Sequence, residues 1–202
     1  MTAPPDGGRP APVEAPVHDL IARRWSPRAF DERPVDAAVL RSVFEAARWA
    51  PSSFNEQPWR FLLATTDEPE WIDRLRGYLT EGNAWARRAP VLAASACRTT
   101  FTRNGLPNRM ACRDLGAAEQ NLVLEAYHRG LVAHQMAGFD HRRLADELLP
   151  DGFEPGSMLA LGWPGEHDLL PDEKRRDRRP RERRPLDELV FSGEWGRPSA
   201  FL

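Results

Sequence analysis

Leu40, Val43, Phe44 and Ala47 repeat at i, i+3, i+4 and i+7, the stripe of an amphipathic helix. Asp36 stands where an N-cap belongs, and Pro51 stops the helix just beyond Trp49. A shorter helix is expected over 17–24. Asp67 is expected to cap another that runs through Leu79, with Pro69 in its permitted first turn. The apolar run from Val91 to Cys97 follows Pro90 and reads as a strand buried on both faces. A long helix over about 110–128 is rich in Ala, Leu and Val on more than one face, as for a central helix packed on several sides. Gly130 follows at the C′ position. Further strands are expected over 61–65, 131–136 and 157–163, and Asp140 should cap a helix to Leu149. Helices interleaved with four short strands predict an α+β sandwich around one sheet.

Composition narrows the function classes only a little. At 202 residues the chain suits one domain with a real core. Its net charge of −2 calls for neither nucleic acid nor an anionic membrane, and no apolar run approaches the roughly 20 residues that span a bilayer. The proline-rich residues 1–15 have no apolar centre and are expected to be a disordered lead-in rather than a secretory signal. Cys97 and Cys112 lack metal or redox spacing and read as buried small hydrophobes in a reducing cytoplasm. The five histidines are scattered, and His134 and His141 are spaced wrongly for two ligands on one helical turn. No Gly-rich nucleotide loop, zinc-protease motif or serine-hydrolase motif is present.

Two polar segments carry the candidate chemistry. Pro51-Ser52-Ser53-Phe54-Asn55-Glu56-Gln57-Pro58-Trp59 links a helix to a strand and concentrates hydroxyls and carboxamides in a turn. Upstream, Arg23-Arg24-Trp25-Ser26-Pro27-Arg28 crowds guanidiniums with a hydroxyl, groups suited to phosphate. A third run, from Lys174 to Arg184, is strongly basic. By composition alone it is either a solvated linker or a nucleic-acid patch.

Together the first two segments resemble the FMN-dependent nitroreductase family, whose R-x-S-x-R-x-F and A-P-S-S-x-N-x-Q-P-W elements match Arg24 to Phe30 and Ala50 to Trp59. The resemblance extends over about 16–198. It implies a three-layer α/β/α sandwich around a mixed central sheet, homodimeric, with the FMN site shared between subunits. Residues 16–184 would form the FMN-binding domain and 185–202 an arm contacting the partner.

The resemblance also implies roles. Arg24, Trp25, Ser26 and Arg28 would meet the phosphate and ribityl chain, Trp25 through its backbone, and either Arg24 or Arg28 could stabilise negative charge on the reduced ring. Pro51, Ser52, Ser53 and Asn55 would approach the flavin of the partner subunit, with Gln57 and Trp59 as supports. Ala137 or Gly138 would offer a main-chain N–H to the flavin; many relatives carry Glu before this Gly. Arg181 and Arg183 would reach the phosphate from the C-terminal side. Asn83, Trp85 and Asp114 would border the substrate. No side chain is expected to be catalytic, because the flavin carries the chemistry.

The function so implied is a cytoplasmic FMN oxidoreductase that takes electrons from NADH or NADPH. It would pass them, by a ping-pong mechanism, to a small acceptor such as a nitroaromatic or a quinone, with no metal, nucleic acid or membrane as partner. Two other readings remain open. One is a specialised member of the fold that fragments flavin or removes halide, which would need a lid with dedicated substrate contacts, and residues 99–109 offer no identifiable one. The other is a non-enzymatic protein that binds flavin or nucleic acid.

Overall fold

The Asp36 carboxylate accepts the Ala38 N–H at 2.7 Å and opens α2 (Ala37–Arg48), whose Leu40, Val43 and Ala47 are buried. A computed structural model describes residues 10–166, 168, 170 and 180–201. The part of the basic run at 174–179 and most of the N-terminal lead-in lie outside them. Besides α2, the chain forms α1 (Asp19–Arg23), α3 (Pro69–Arg76), α4 (Ala111–His128) and α5 (His141–Leu148). The strands are β1 (Phe30–Asp31), β2 (Trp59–Thr65), β3 (Val91–Arg98), β4 (Val132–Met136) and β5 (Phe153–Pro164).

β5 lies at the centre of the sheet. It pairs with β3 on one side, and β4 and β1 pair with it on the other; β3 pairs in turn with β2. The fold is α+β with helices on both faces, as expected. Every described pairing is antiparallel, however, so the mixed character expected of the sheet does not arise within this protomer. The strands linked directly, β2 to β3 and β4 to β5, pair antiparallel, while β3 and β4, joined through α4, run parallel to each other with β5 between them.

The pleat sends alternate residues to two cores. Val91, Ala93 and Cys97 of β3 join Leu159 and Leu161 of β5 beneath α2 and α4. Leu92 and Ala94 join Met158 and Ala160 on the opposite face, against α3, α5 and the 3₁₀ segment Glu81–Arg88. Leu122, Ala118 and Ala126 of α4 are fully buried, in keeping with the predicted central helix.

Several elements differ from the sequence reading. Asp67 does not cap α3. Pro69 takes the first helical position, so Glu68 falls in the cap slot, and it makes no side-chain cap bond. The short β1 and the 3₁₀ segment Glu81–Arg88 were not foreseen, and β1 makes the strand count five. β5 begins earlier than expected because Phe153, Glu154 and Pro155 pair with β3 beyond an irregularity at Ala94/Ala96. Gly156 fits there because a Cβ would collide with Leu115 Cδ2 and Ser95 Oγ. Gly130 does take the left-handed conformation after α4, at φ 82°. Among the described residues, no helix is long and apolar enough to cross a membrane.

Candidate functional site

Arg24 is the C-cap of α1, and its Nη1 donates to Ser26 Oγ at 3.2 Å. Burial, followed by the charges of Arg181 and Arg183, pushes the Arg24 guanidinium below its ordinary pKa, with Tyr127 opposing. Burial and Arg183 act on Arg181 in the same direction. The chain thus brings Arg181 back to the end of α1, 159 positions from Ala22. Arg181 Nη1 donates to the Ala22 carbonyl at 2.7 Å, and that carbonyl also accepts the Ala11 N–H at 2.7 Å. Holding like charges together costs free energy that an anion between them would offset. Three guanidinium forks are the donor set a phosphate takes, so the residues fit the phosphate end of FMN.

The Arg28 guanidinium lies 6.0 Å from the centre of the Trp85 ring, which in turn packs on Phe30 and His134. Within the Arg-Ser-Arg element, Arg24 bonds Ser26, while Arg28 lies near the indole. Trp85 itself is 6% exposed and belongs to the core rather than to an open wall, with its Nε1 buried and unpaired. Trp25 is half-buried beside Arg24.

The Pro51 loop is fastened from below. Asp114, fully buried on α4, accepts the Ser53 N–H at 2.8 Å through Oδ2. Its Oδ1 has no hydrogen-bond partner, although the Arg113 Nε stands 3.5 Å away as an ion pair. Ser52 Oγ accepts the Gln57 N–H at 3.0 Å, Gln57 Nε2 donates to the Asn55 carbonyl, and Glu56 accepts from Thr102 N. Phe54, Asn55 and Gln57 all adopt positive φ, at 53°, 55° and 51°. Three non-glycine residues in the left-handed region cost on the order of 1–3 kcal/mol each and persist only where the surroundings over-determine them. Pro51 and Asn55 stay exposed, and Phe54 projects at 72% exposure with the Arg103 guanidinium 4.1 Å above its ring.

The turn at Ala137-Gly138 is held by its carbonyls. Gly138 O accepts from Asn83 Nδ2 at 2.9 Å and from Thr80 Oγ1 at 2.9 Å, while Ala137 O lies 2.8 Å from His141 Nε2. Asn83 thus has a positioning contact with this turn.

One polar cluster escaped sequence reasoning. Glu119, 6% exposed on α4, accepts from Ser95 Oγ, Ser157 Oγ and Gln135 Nε2, the last two at 2.7 and 2.6 Å. A helical signal was available: Glu119 falls on the stripe between Leu115 and Leu122, and Asp114 between Ala111 and Ala118, so both acids occupy core positions. The cysteine reading needs correction in part. Cys97 is buried but Cys112 is exposed, because it faces outward in the first turn of α4.

Two hollows flank these elements. One, of about 450 Å³, opens between residues 11–17 and 181–189 and has Arg181 and Arg183 in its wall. Another, of about 700 Å³ between α2 and β2, is lined by none of the candidate residues.

The model of the nitroreductase family matches residues 21–84, the stretch that holds both motifs. A solved structure described as an oxidoreductase containing FMN is 35% identical, with a TM-score of 0.86 over 92% of this chain and 96% of that one. A protein of Mycolicibacterium smegmatis, described as an uncharacterized 15.4 kDa protein, is 41% identical over 128 residues, or 61% of this chain and 84% of its own. A protein of Methanothermobacter thermautotrophicus, named as a candidate NADH dehydrogenase/NAD(P)H nitroreductase, is 28% identical over 157 residues, or 75% of this chain and 78% of its own.

Proposed function

Because the chain belongs to the nitroreductase family, we propose that it is an FMN-dependent NAD(P)H oxidoreductase acting on small acceptors such as nitroaromatics or quinones. The observation that supports this reading is that Arg24, Arg181 and Arg183 lie close enough for their like charges to act on one another, with Arg181 bonded to Ala22 at the end of α1, an arrangement that a phosphate would relieve. The FMN in a similar solved structure and the donor in the name of the Methanothermobacter relative support the cofactor and the nucleotide. When bound, FMN supplies the two-electron chemistry, accepting hydride from the nicotinamide and passing electrons to the acceptor.

This chain's residues bind and orient. Arg24, Arg181 and Arg183 take the phosphate, and Ser26 holds the Arg24 fork in place. Arg28 brings positive charge toward the ring end, where it stabilises anionic character. The Ala137-Gly138 turn, fixed by Asn83 and Thr80, offers main-chain N–H groups; a side chain in place of Ala137 is not needed for that. One pocket then serves donor and acceptor in turn, since the chain has no separate dinucleotide fingerprint.

The same reading makes the protein a homodimer. Ser53 is tied to its own α4, so the exposed Pro51, Phe54 and Asn55 are free to serve the site of a second copy. The C-terminal residues 185–202 would be the arm that holds the two copies together. Trp195 and Phe201, at 93% and 91% exposure, are large aromatics that burial in an interface would explain. Free thiols fit a cytoplasmic setting. Titrating apoprotein with FMN while following its absorbance tests the proposal, and a protein that retains no flavin at micromolar concentration overturns it.

A further inference from the structure

Cys97 and Cys112 are 15 positions apart in the chain, yet their Sγ atoms stand 3.5 Å from each other. Cys97 lies near the end of β3, wholly buried in the core beneath α4, and Cys112 is the second residue of α4 and exposed. Both are free thiols. A disulfide requires about 2.05 Å between sulfurs, so closure asks for a movement of about 1.5 Å. The two groups also differ as reactants. Burial, with Cys112 alongside, pushes the Cys97 thiol up to about 12, so it stays protonated and shielded. A solute therefore meets Cys112 first.

We propose that Cys97 and Cys112 form a reversible disulfide pair that closes when hydrogen peroxide oxidises Cys112. The Cys112 thiolate attacks the peroxide O–O bond, gains one hydroxyl as a sulfenic acid, and releases hydroxide that leaves as water after protonation. The Cys97 sulfur then attacks the Cys112 sulfur and the S–O bond breaks. The departing hydroxyl takes the Cys97 proton as a second water. Two thiols and one peroxide thus give one disulfide and two waters, with two electrons passing from sulfur to peroxide. A thiol reductant reverses the step by exchange.

The location gives the pair a point of leverage. Cys112 lies two residues before Asp114, whose carboxylate holds the Ser53 N–H. Closure therefore fastens the helical turn that fastens the Pro51 loop. The link to flavin rests on the proposed function; the disulfide does not.

The test treats the purified protein, with and without FMN, with a small excess of hydrogen peroxide and maps its peptides without reduction. The expected result is an intrachain cross-link between the peptides containing Cys97 and Cys112, with an intact mass lower by two hydrogens and recovery on adding dithiothreitol. The exposed-site variant Cys112→Ser should leave Cys97 as a thiol under the same treatment. Cys97→Ser should instead accumulate a sulfenic acid at Cys112, trapped by dimedone. A Cys112 that advances to sulfinic acid, or pairs between two chains while Cys97 stays reduced, overturns the proposal. So does a wild-type protein that keeps both thiols. Failure to bind FMN would leave this readout untouched.

Discussion

The carboxylate of Asp114 and the main-chain N–H of Ser53 meet at 2.8 Å across 61 positions of chain. One buried acid on the central helix thereby fixes the conformation of a loop whose Phe54, Asn55 and Gln57 are all left-handed. The strain is local, and the restraint comes from a distant part of the sequence. Asp114→Ala removes the acceptor and should cost about 1–3 kcal/mol, the usual penalty for leaving one buried partner unpaired. Asp114→Asn keeps an acceptor and should recover most of it. Thermal unfolding of the two variants checks this; equal losses would show that the charge, rather than the contact, matters.

Glu119 should be harder to replace. Three donors converge on it, so Glu119→Ala takes the acceptor from the Ser157 hydroxyl and the Gln135 amide and leaves Ser95 only its bonds to the Ser157 main chain. At about 1–3 kcal/mol per buried group left unsatisfied, two such groups should make the loss exceed that of Asp114→Ala. Denaturant unfolding of both proteins makes the comparison directly.

At Gly138 a Cβ would come within 2.6 Å of Asn83 Nδ2 and 3.1 Å of Thr80 Oγ1. Gly138→Ala should therefore destabilise by about 1–3 kcal/mol through overpacking. Because the closest atom belongs to a side chain, adding Asn83→Ala should return part of that loss. A double-mutant cycle read by melting temperature would show the coupling, and strict additivity would place the clash elsewhere.

Much of this architecture can be read from the chain. Asp36 and Asp140 both cap the helices expected of them, each accepting a main-chain N–H. The apolar run of β3 is buried on both faces because two separate helical layers cover it. The failures have local causes. Phe30-Asp31 is too short to show a period, and it becomes a strand only by pairing with Trp163 and Pro164. Glu154-Pro155-Gly156 carries turn residues, but pairing of Glu154 and Pro155 with Cys97 and Ala96 draws the segment into β5. The candidate site is legible as two motifs. Its assembly is not, since the division of labour between Arg24 and Arg28 depends on where Trp85 packs.

That division is itself testable. Losing one charge-assisted bond, worth roughly 1.5–3 kcal/mol, should weaken binding about ten- to a hundredfold. Arg24→Ala should do this to FMN and leave riboflavin, which lacks the phosphate, little changed. Arg28→Ala should weaken both ligands alike. Fluorescence titrations of the two variants would separate these patterns, and an FMN-only effect at Arg28 would return it to the phosphate corner.

The most direct measurement compares FMN with riboflavin on the unaltered apoprotein by calorimetric titration. The convergence of Arg24, Arg181 and Arg183 predicts FMN binding at micromolar concentration or tighter, at least tenfold stronger than riboflavin, about 1.4 kcal/mol or more. Equal affinity for the two, or no binding of FMN, would contradict the account.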